Sequence, residues 1–67
     1  MKIKVLVHHA EEGGYWAEIP ALPGCISEGE NLDETLANVR EAAEGWMSVA
    51  TERALEDQSA QVAEIEL

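Results

Sequence analysis

The chain has little of several residue types that define whole classes of protein. Cys25 is the only cysteine among 67 residues, so no disulfide can form within one chain. No apolar run approaches the roughly 20 residues that a membrane-spanning helix needs. Met1 leads into an alternating segment in place of the apolar stretch of a signal peptide. We therefore expect a cytoplasmic protein in which Cys25 is a reduced thiol.

Basic side chains are also scarce. Four Lys and Arg residues stand against 14 Asp and Glu residues, which gives a net charge of -10. Such a chain repels phosphate backbones, because nucleic-acid binding relies on clustered Lys and Arg. We expect no direct nucleic-acid binding, and a basic protein is the natural partner for this charge. A simpler interpretation is that the acidity only keeps a small domain in solution.

The length leaves room for one domain, residues 1–67, with a thin apolar core. At ~25 cal/mol per Å2, burying one sheet face under one helix roughly balances the conformational entropy lost on folding. Since no disulfide can add stability within one chain, association is the expected source of it. We predict a homo-oligomer, either a dimer or a tetramer.

Only two prolines are present, and both follow the most regular alternating stretch of the chain. Gly13 and Gly14 open this stretch, because glycine accepts the positive φ of a tight reversal. Residues 15–19 then alternate with the period of a half-buried strand. Pro20 and Pro23 lack backbone donors, so the strand cannot continue through them. The pattern predicts a strand framed by two reversals.

Three further segments alternate with the same period, namely Lys2–His9, a weaker one of about Gly24–Glu30, and Val62–Leu67. The first is expected to form an antiparallel hairpin with the strand after Gly14, and the weaker one to lie at a sheet edge. A helix over Leu32–Asp57 then gives the order β-β-β-α-β of an α+β domain. A helical crossover of this length allows the fourth strand to lie parallel to the first, and we propose the sheet order 3-2-1-4.

The predicted helix carries its own start signal. Asn31 can cap the first turn while Glu34 reaches back, as in a capping box. At 1.5 Å per residue the helix would span roughly 39 Å, against about 20 Å for the strands, so it overhangs the sheet unless it breaks near Gly45. The apolar stripe expected to face the sheet consists of Leu32, Leu36, Val39, Ala43, either Trp46 or Met47, and Ala50.

Two apolar surfaces are expected to lack cover from the chain itself. Trp16 alternates with the residues that should face the helix, so it lies either in a subunit or partner contact or beneath the helix of its own chain. The overhanging part of the helix would also expose apolar side chains, and such surface usually meets a partner. The candidate interface consists of Leu6, Trp16, Ile26, Trp46, Met47 and Val49.

No group of residues has the pattern of a catalytic, cofactor or metal site. His8 and His9 should point to opposite faces of a strand, so they cannot easily chelate one ion. Glu18 is the one acid in the body of a central strand, whereas a two-metal nuclease needs clustered carboxylates. Cys25 lacks an evident base and is interpreted as a small buried hydrophobe. We expect no enzyme, and a metal-dependent nuclease is the least favoured function.

Several turn and cap signals follow one another at fixed spacing. The motif Gly13-Gly14-Tyr15-x-Ala17-x-x-Pro20-x-Leu22-Pro23-Gly24-Cys25 resembles the HicB-like antitoxin domain. The resemblance continues through Ser27-x-Gly29, Leu32-Asp33-Glu34-x-Leu36 and Asn38-x-x-Glu41-Ala42, and covers roughly Lys4 to Ala50. The chain departs from the usual family pattern at Ala21, Asn31 and Thr35.

The resemblance implies a truncated ribonuclease-H-like sheet and an antitoxin-type role, in which the domain binds a small basic HicA-type ribonuclease toxin and masks its active site. Family members usually carry a C-terminal DNA-binding module as well. This chain ends at Leu67 without one, so we expect a stand-alone relative that does not repress its own operon. The alternative is a self-associating protein with no toxin partner.

Overall fold

The computed structural model describes all residues from 1 to 67. Three antiparallel strands, β1 (Leu6–His9), β2 (Tyr15–Glu18) and β3 (Ile26–Gly29), are followed by one helix, α1 (Leu32–Ala54). The strands form one sheet in the order β1-β2-β3. This confirms the predicted α+β class, the meander of three strands and the single helix that follows it.

Each strand is shorter than the alternation predicts, because pairing with β2 sets its length. The last pair between β1 and β2 joins Leu6 to Glu18, so residues 2–5 have no partner in β2 and are not part of the strand. On the far side of β2, Ile26 pairs with the same Glu18. Pro20 follows two residues after Glu18 and removes a donor that a longer ladder would need.

The reversal between β1 and β2 depends on Gly14. Ala10 donates its backbone N–H to the Gly14 oxygen at 3.1 Å, and Gly14 has φ of +76°. A Cβ atom built on Gly14 would lie 2.5 Å from the backbone oxygen of Gly29. Both the conformation and the close approach of β3 therefore require glycine here.

The core lies between the sheet and the first three turns of α1. Ala17 at the centre of β2 is fully buried, and the thiol residue Cys25 is buried in the same cluster, as the sequence predicts. Only 7 of 67 residues are buried, so the core is as thin as the chain length implies. The apolar core consists of Ala17, Ile19, Leu22, Cys25, Val39 and Ala43.

The first turn of α1 is capped by Asn31. Its side-chain oxygen accepts from the backbone N–H of Glu34 at 2.8 Å, which confirms the predicted N-cap. The return hydrogen bond of a capping box, from the Glu34 side chain, is not formed, and that part of the prediction is wrong. Thr35 instead donates its hydroxyl to the Asn31 carbonyl at 2.7 Å and is fully buried.

The face of α1 that meets the sheet differs from the predicted stripe at its start. Thr35, Val39 and Ala43 are the buried residues, whereas Leu32 and Leu36 are exposed. Thr35 takes the buried place because β3 ends at Gly29, where the absence of a side chain lets the Thr35 backbone approach closely. Apolar periodicity could not reveal this, since the residue that docks is polar.

The helix overhangs the sheet as predicted. Its 23 residues run through Gly45 without a break and span roughly 35 Å, against roughly 13 Å for a four-residue strand. The molecule is accordingly elongated, with extents of 48 × 21 × 16 Å. The helix ends at Ala54 rather than Asp57, because the following backbone N–H groups form tighter turn bonds to Arg53 and Ala54.

The predicted fourth strand is not formed in the single chain, whose sheet has three strands rather than the four of the predicted order 3-2-1-4. Residues 61–67 have no regular secondary structure and are all exposed. No strand lies beside β1 on its outer edge. Alternation indicates only that a segment is suited to a sheet; a strand also requires a neighbour that accepts its hydrogen bonds.

Candidate protein-binding surface

The register of the sheet separates a covered face from an uncovered one. Ala17 pairs with Val7 and Ser27 and is buried with Val39 of the helix, so these residues define the face beneath α1. The residues that alternate with them lie on the opposite face, which no element of the chain covers. We call this surface the open face; it consists of Leu6, His8, Trp16, Glu18, Ile26 and Glu28.

Trp16 is the central aromatic residue of the open face. Its ring stacks on the His8 ring, with centroids 4.1 Å apart and planes 17° from parallel. The His8 Nε2 atom lies 2.8 Å from a carboxylate oxygen of Glu18. Trp16 is half-buried, and its stacking partner His8 is bound in turn to the Glu18 carboxylate. The position beneath the helix, which the sequence left open for Trp16, is therefore wrong.

Two apolar side chains flank Glu18 across the sheet. Leu6 on β1 and Ile26 on β3 both pair with Glu18, and they are 49% and 57% exposed. The open face thus combines exposed aliphatic groups, an aromatic ring and carboxylates. A surface of this composition suits a protein contact, in which apolar groups lose water and the acids select a basic partner.

His9 lies on the other face of the sheet, where its ring is near that of Tyr15, with centroids 4.9 Å apart. The rings of His8 and His9 therefore diverge, as the strand period predicts. No group of three or more His, Cys, Asp or Glu side chains could hold a metal ion.

The candidate interface residues on α1 are in two different environments. Trp46 is half-buried, packs against the core and donates its indole N–H to the Pro23 oxygen at 2.9 Å. Met47 and Val49, on the overhang, are 41% and 48% exposed. Ile26, Trp46 and Val49 line one shallow groove between the end of the β2–β3 connection and the helix. Leu6 and Trp16 are not part of that groove.

Sequence reasoning missed a second feature, a shallow acidic cleft at the Gly13–Gly14 end of the sheet. Glu12, Glu28, Glu30 and Glu34 contribute to its walls, together with Tyr15. The four acids come from the hairpin turn, from β3, from the connection that follows it and from the first turn of α1. Only the meander topology brings them together, so no local pattern could have revealed the cleft.

The one helix, α1, does not contain a stretch that is both long and apolar enough to cross a membrane.

The pKa of Asp57, beyond the end of α1, is held below its ordinary value. The Ser59 hydroxyl donates to its carboxylate at 2.6 Å, and the Ser59 backbone N–H donates to the same oxygen at 2.9 Å. This carboxylate is fully exposed and orders a turn rather than a site.

Comparison with known proteins gives a consistent result. Residues 3–66 match the family described as HicB-like antitoxin of bacterial toxin-antitoxin systems. A UPF0150 protein of Synechocystis is 40% identical over 50 residues, which cover 75% of this chain and 68% of the relative. A UPF0150 protein of Archaeoglobus fulgidus is 37% identical over 49 residues, which cover 73% of this chain and 71% of the relative.

A third relative, a UPF0150 protein of Thermoplasma acidophilum, is 38% identical over 47 residues, which cover 70% of this chain and 68% of the relative. No solved structure matches significantly. The family match spans nearly the whole domain, including the two turns, the sheet and the helix that the sequence motif resembles. The chain therefore belongs to the HicB-like antitoxin family.

Proposed function

We propose that this chain is an antitoxin-type protein-binding module whose partner is a small basic HicA-type toxin that cleaves mRNA. The observation that carries the proposal is the family match over residues 3–66. A net charge of -10 supports it, because a basic partner is attracted over the whole surface. The module acts in the cytoplasm, where mRNA is found, and has no catalytic activity of its own.

The toxin docks on the open face. Leu6, Trp16 and Ile26 supply the apolar contacts, while Glu18 and Glu28 lie among them and pair with basic groups of the toxin. Charge complementarity supports this choice, since Glu18 and Glu28 are the acids among the paired strand residues of the open face. We assign no DNA-binding role to these residues, because four Lys and Arg among 67 residues form no basic surface.

The ribonuclease-H-like sheet that the family resemblance implies needs one more strand. We propose that residues 62–67 form this strand beside β1 in the assembled protein, which would give the order 3-2-1-4. Two observations support it: the outer edge of β1 is unpaired, and residues 62–67 alternate with the period of a strand. We also propose that the assembled protein is a homo-oligomer, either a dimer or a tetramer.

The test uses the small basic HicA-type toxin that the proposal expects the neighbouring reading frame to encode. We expect the purified chain to form a stable complex with that toxin and to suppress its cleavage of RNA at equimolar ratio. Substituting Ile26→Lys places a positive charge at the centre of the contact. We expect it to weaken the complex by roughly 30-fold or more, because central interface residues often contribute 2 kcal/mol or more.

The control is Leu55→Lys, which makes the same change of charge at the far end of the helix. Leu55 is 55% exposed, close to the 57% of Ile26, so both variants should fold alike. The control variant is expected to bind and inhibit the toxin like the wild-type chain. Equal loss in both variants would show that net charge, and not the open face, governs binding. Absence of any complex would refute the antitoxin proposal.

A second function is favoured by the number of exposed apolar side chains. Besides Leu6 and Ile26, the side chains of Val7, Ile65 and Leu67 are more than one third exposed. A chain with this much apolar surface and so few buried residues is expected to associate with itself. If the chain forms a stable oligomer and no toxin binds it, it is a self-associating protein of another role.

A further inference from the structure

The helix leaves the β1 side of the sheet uncovered, although apolar residues of β1 lie on the face that the helix packs against. Val7 pairs with the fully buried Ala17 and shares its face, yet Val7 is 38% exposed. The reason is the position of α1, which packs against β3 and β2 but not against β1. Ile3, which precedes β1, is 40% exposed. Both the outer edge of β1 and the apolar layer beneath it are therefore open.

The C-terminal segment, residues 61–67, also has exposed apolar side chains, and its backbone makes no hydrogen bonds. Its apolar side chains are among the most exposed in the chain, with Ile65 at 83% and Leu67 at 82%. The last backbone hydrogen bond before it is donated by Ala60 to Asp57. An extended segment with exposed apolar side chains and free backbone groups is suited to adding to a sheet edge.

The β1 edge and the C-terminal segment have matching patterns of apolar and charged side chains. Residues that precede and form β1 alternate between apolar side chains and basic or polar ones, with Leu6 as the one apolar exception on the open side. The C-terminal segment alternates between apolar and acidic side chains. Two of the four Lys and Arg residues of the chain are Lys2 and Lys4. The apolar sets are Ile3, Val5 and Val7 in the first segment and Ala63, Ile65 and Leu67 in the second.

The charged sets are also complementary. Side chains two residues apart on a strand share a face, so Lys2 and Lys4 lie on one side of an extended segment and Glu64 and Glu66 on one side of the other. When the apolar sets share the helix side, the lysines and the glutamates meet on the open side. Opposite charges on neighbouring strands stabilise a pairing, whereas like charges oppose it. The other edge strand of the sheet, β3, carries Glu28, a like charge that would oppose pairing with the acidic segment.

We propose that the C-terminal segment of one copy adds as a strand to the β1 edge of a second copy, and that the second copy returns its own segment in the same way. The inference rests on the fourth strand proposed above and states which chain supplies it; it does not depend on a toxin. Each copy then gains a four-stranded sheet. The contact is two-fold symmetric and closed, so it gives a defined dimer and not a filament.

The connection after α1 holds the C-terminal segment at the end of the overhanging helix. Hydrogen bonds from Leu55 to Thr51 and from Ser59 to Asp57 order the turn between the helix and the segment. The chain leaves this turn at the end of an overhanging helix, in a molecule 48 Å long, with every residue after Ala54 exposed. When identical chains exchange this terminal segment, the β1 edge of each copy is paired and the apolar side chains of each segment are buried.

A mixing experiment tests the exchange directly. One chain carries Ile3→Cys, the other carries Ile65→Cys and an affinity tag, and the two are unfolded together, refolded and treated with a short bismaleimide. We expect a covalent product that contains one tagged and one untagged chain. Cys25 is buried and should not react, which each single variant treated alone will verify.

The same substitutions combined in one chain distinguish the alternatives. Exchange predicts products of two chains, whereas return of the segment to its own β1 would give a single chain with an internal crosslink. The internal product would refute the proposal, and so would the absence of any crosslink. Glu28→Cys, on the opposite edge strand, replaces Ile3→Cys in the control pair and should give no product with Ile65→Cys.

Light scattering provides a second readout. The wild-type chain is expected at twice the mass of one chain. Substituting Ile65→Asp should weaken dimerisation by roughly 10- to 100-fold, because it removes a large apolar side chain from the new layer. The matched control, Gln58→Asp, adds the same charge before the segment and should remain dimeric. A wild-type monomer at micromolar concentration would refute the exchange, and the result is independent of toxin binding.

Discussion

Two glycines, Gly29 at the end of β3 and Gly45 within α1, provide a sharp test of the packing between sheet and helix, because only Gly29 has close neighbours where a side chain would lie. Gly29 ends β3 against the first turn of the helix. A Cβ atom built on Gly29 would lie 2.7 Å from the Thr35 nitrogen, 2.7 Å from its hydroxyl oxygen and 3.0 Å from its Cα. Two of these atoms belong to the backbone and cannot rotate away. The Thr35 hydroxyl is itself held by its bond to Asn31.

We therefore expect Gly29→Ala to lower the free energy of unfolding by about 1–3 kcal/mol, the usual cost of overpacking in a closely packed site. The helix would have to shift from the sheet or lose the bond between Thr35 and Asn31. Gly45→Ala is the matched control, because nothing lies within 4 Å of a Cβ atom built there. In a helix interior this change should raise the free energy of unfolding by about 1 kcal/mol.

The assay is urea unfolding followed by far-UV circular dichroism, with all variants at one protein concentration because association adds to apparent stability. In a domain of this size, 1 kcal/mol corresponds to roughly 4–8 °C in Tm, so a thermal scan gives an independent reading. Wild-type stability of Gly29→Ala would show that the contact between β3 and Thr35 is not as close as described. Destabilisation by Gly45→Ala would show that a neighbouring chain packs tightly against this part of the helix.

Three further outcomes are expected. Asn31→Ala should lower the free energy of unfolding by about 1 kcal/mol, and Asn31→Asp should retain most of the cap, as measured by urea unfolding. Trp46→Phe should cost about 0.5–1.5 kcal/mol through loss of the indole bond to the Pro23 oxygen, and an unchanged midpoint would argue against that bond. Because Ser59 lowers the pKa of Asp57, Ser59→Ala should move the carboxyl titration seen by NMR to higher pH. The contribution of this turn should be complete above the ordinary aspartate pKa and lost as the pH falls through the lowered pKa; an unmoved titration would contradict the bond.

Local chemistry accounts for the parts of the fold that were predicted correctly. The reversal at Gly14, the N-cap at Asn31 and the alternation around Ala17 each act over a few residues, so their signals can be read from neighbouring positions. The same applies to the open face, since a period of two assigns Leu6, Trp16 and Ile26 to one side once the meander is known. The shared face of these residues follows from the strand period, whereas their role in an interface stays a prediction.

The errors have a common cause, which is contact between residues far apart in the chain. The sequence left open whether Trp46 or Met47 faces the sheet; Trp46 does so, because its indole N–H reaches the Pro23 oxygen and its ring packs against the core. Thr35 was not part of the stripe predicted to face the sheet, yet it is fully buried, because Gly29 leaves space for it. Neither position has a local pattern that would reveal its partner.

The amino-acid sequence by itself determined the order of the elements, the strand faces, the helix start and the acidic character, because each depends on backbone geometry or composition within a few residues. The tertiary structure decided which helix face is buried and where each strand ends. It also decided whether the segment after Ala60 joins the sheet, because a strand forms only where another edge accepts its hydrogen bonds. The outer edge of β1 lies more than 50 positions earlier in the sequence, so no local pattern specifies whether it pairs with this segment.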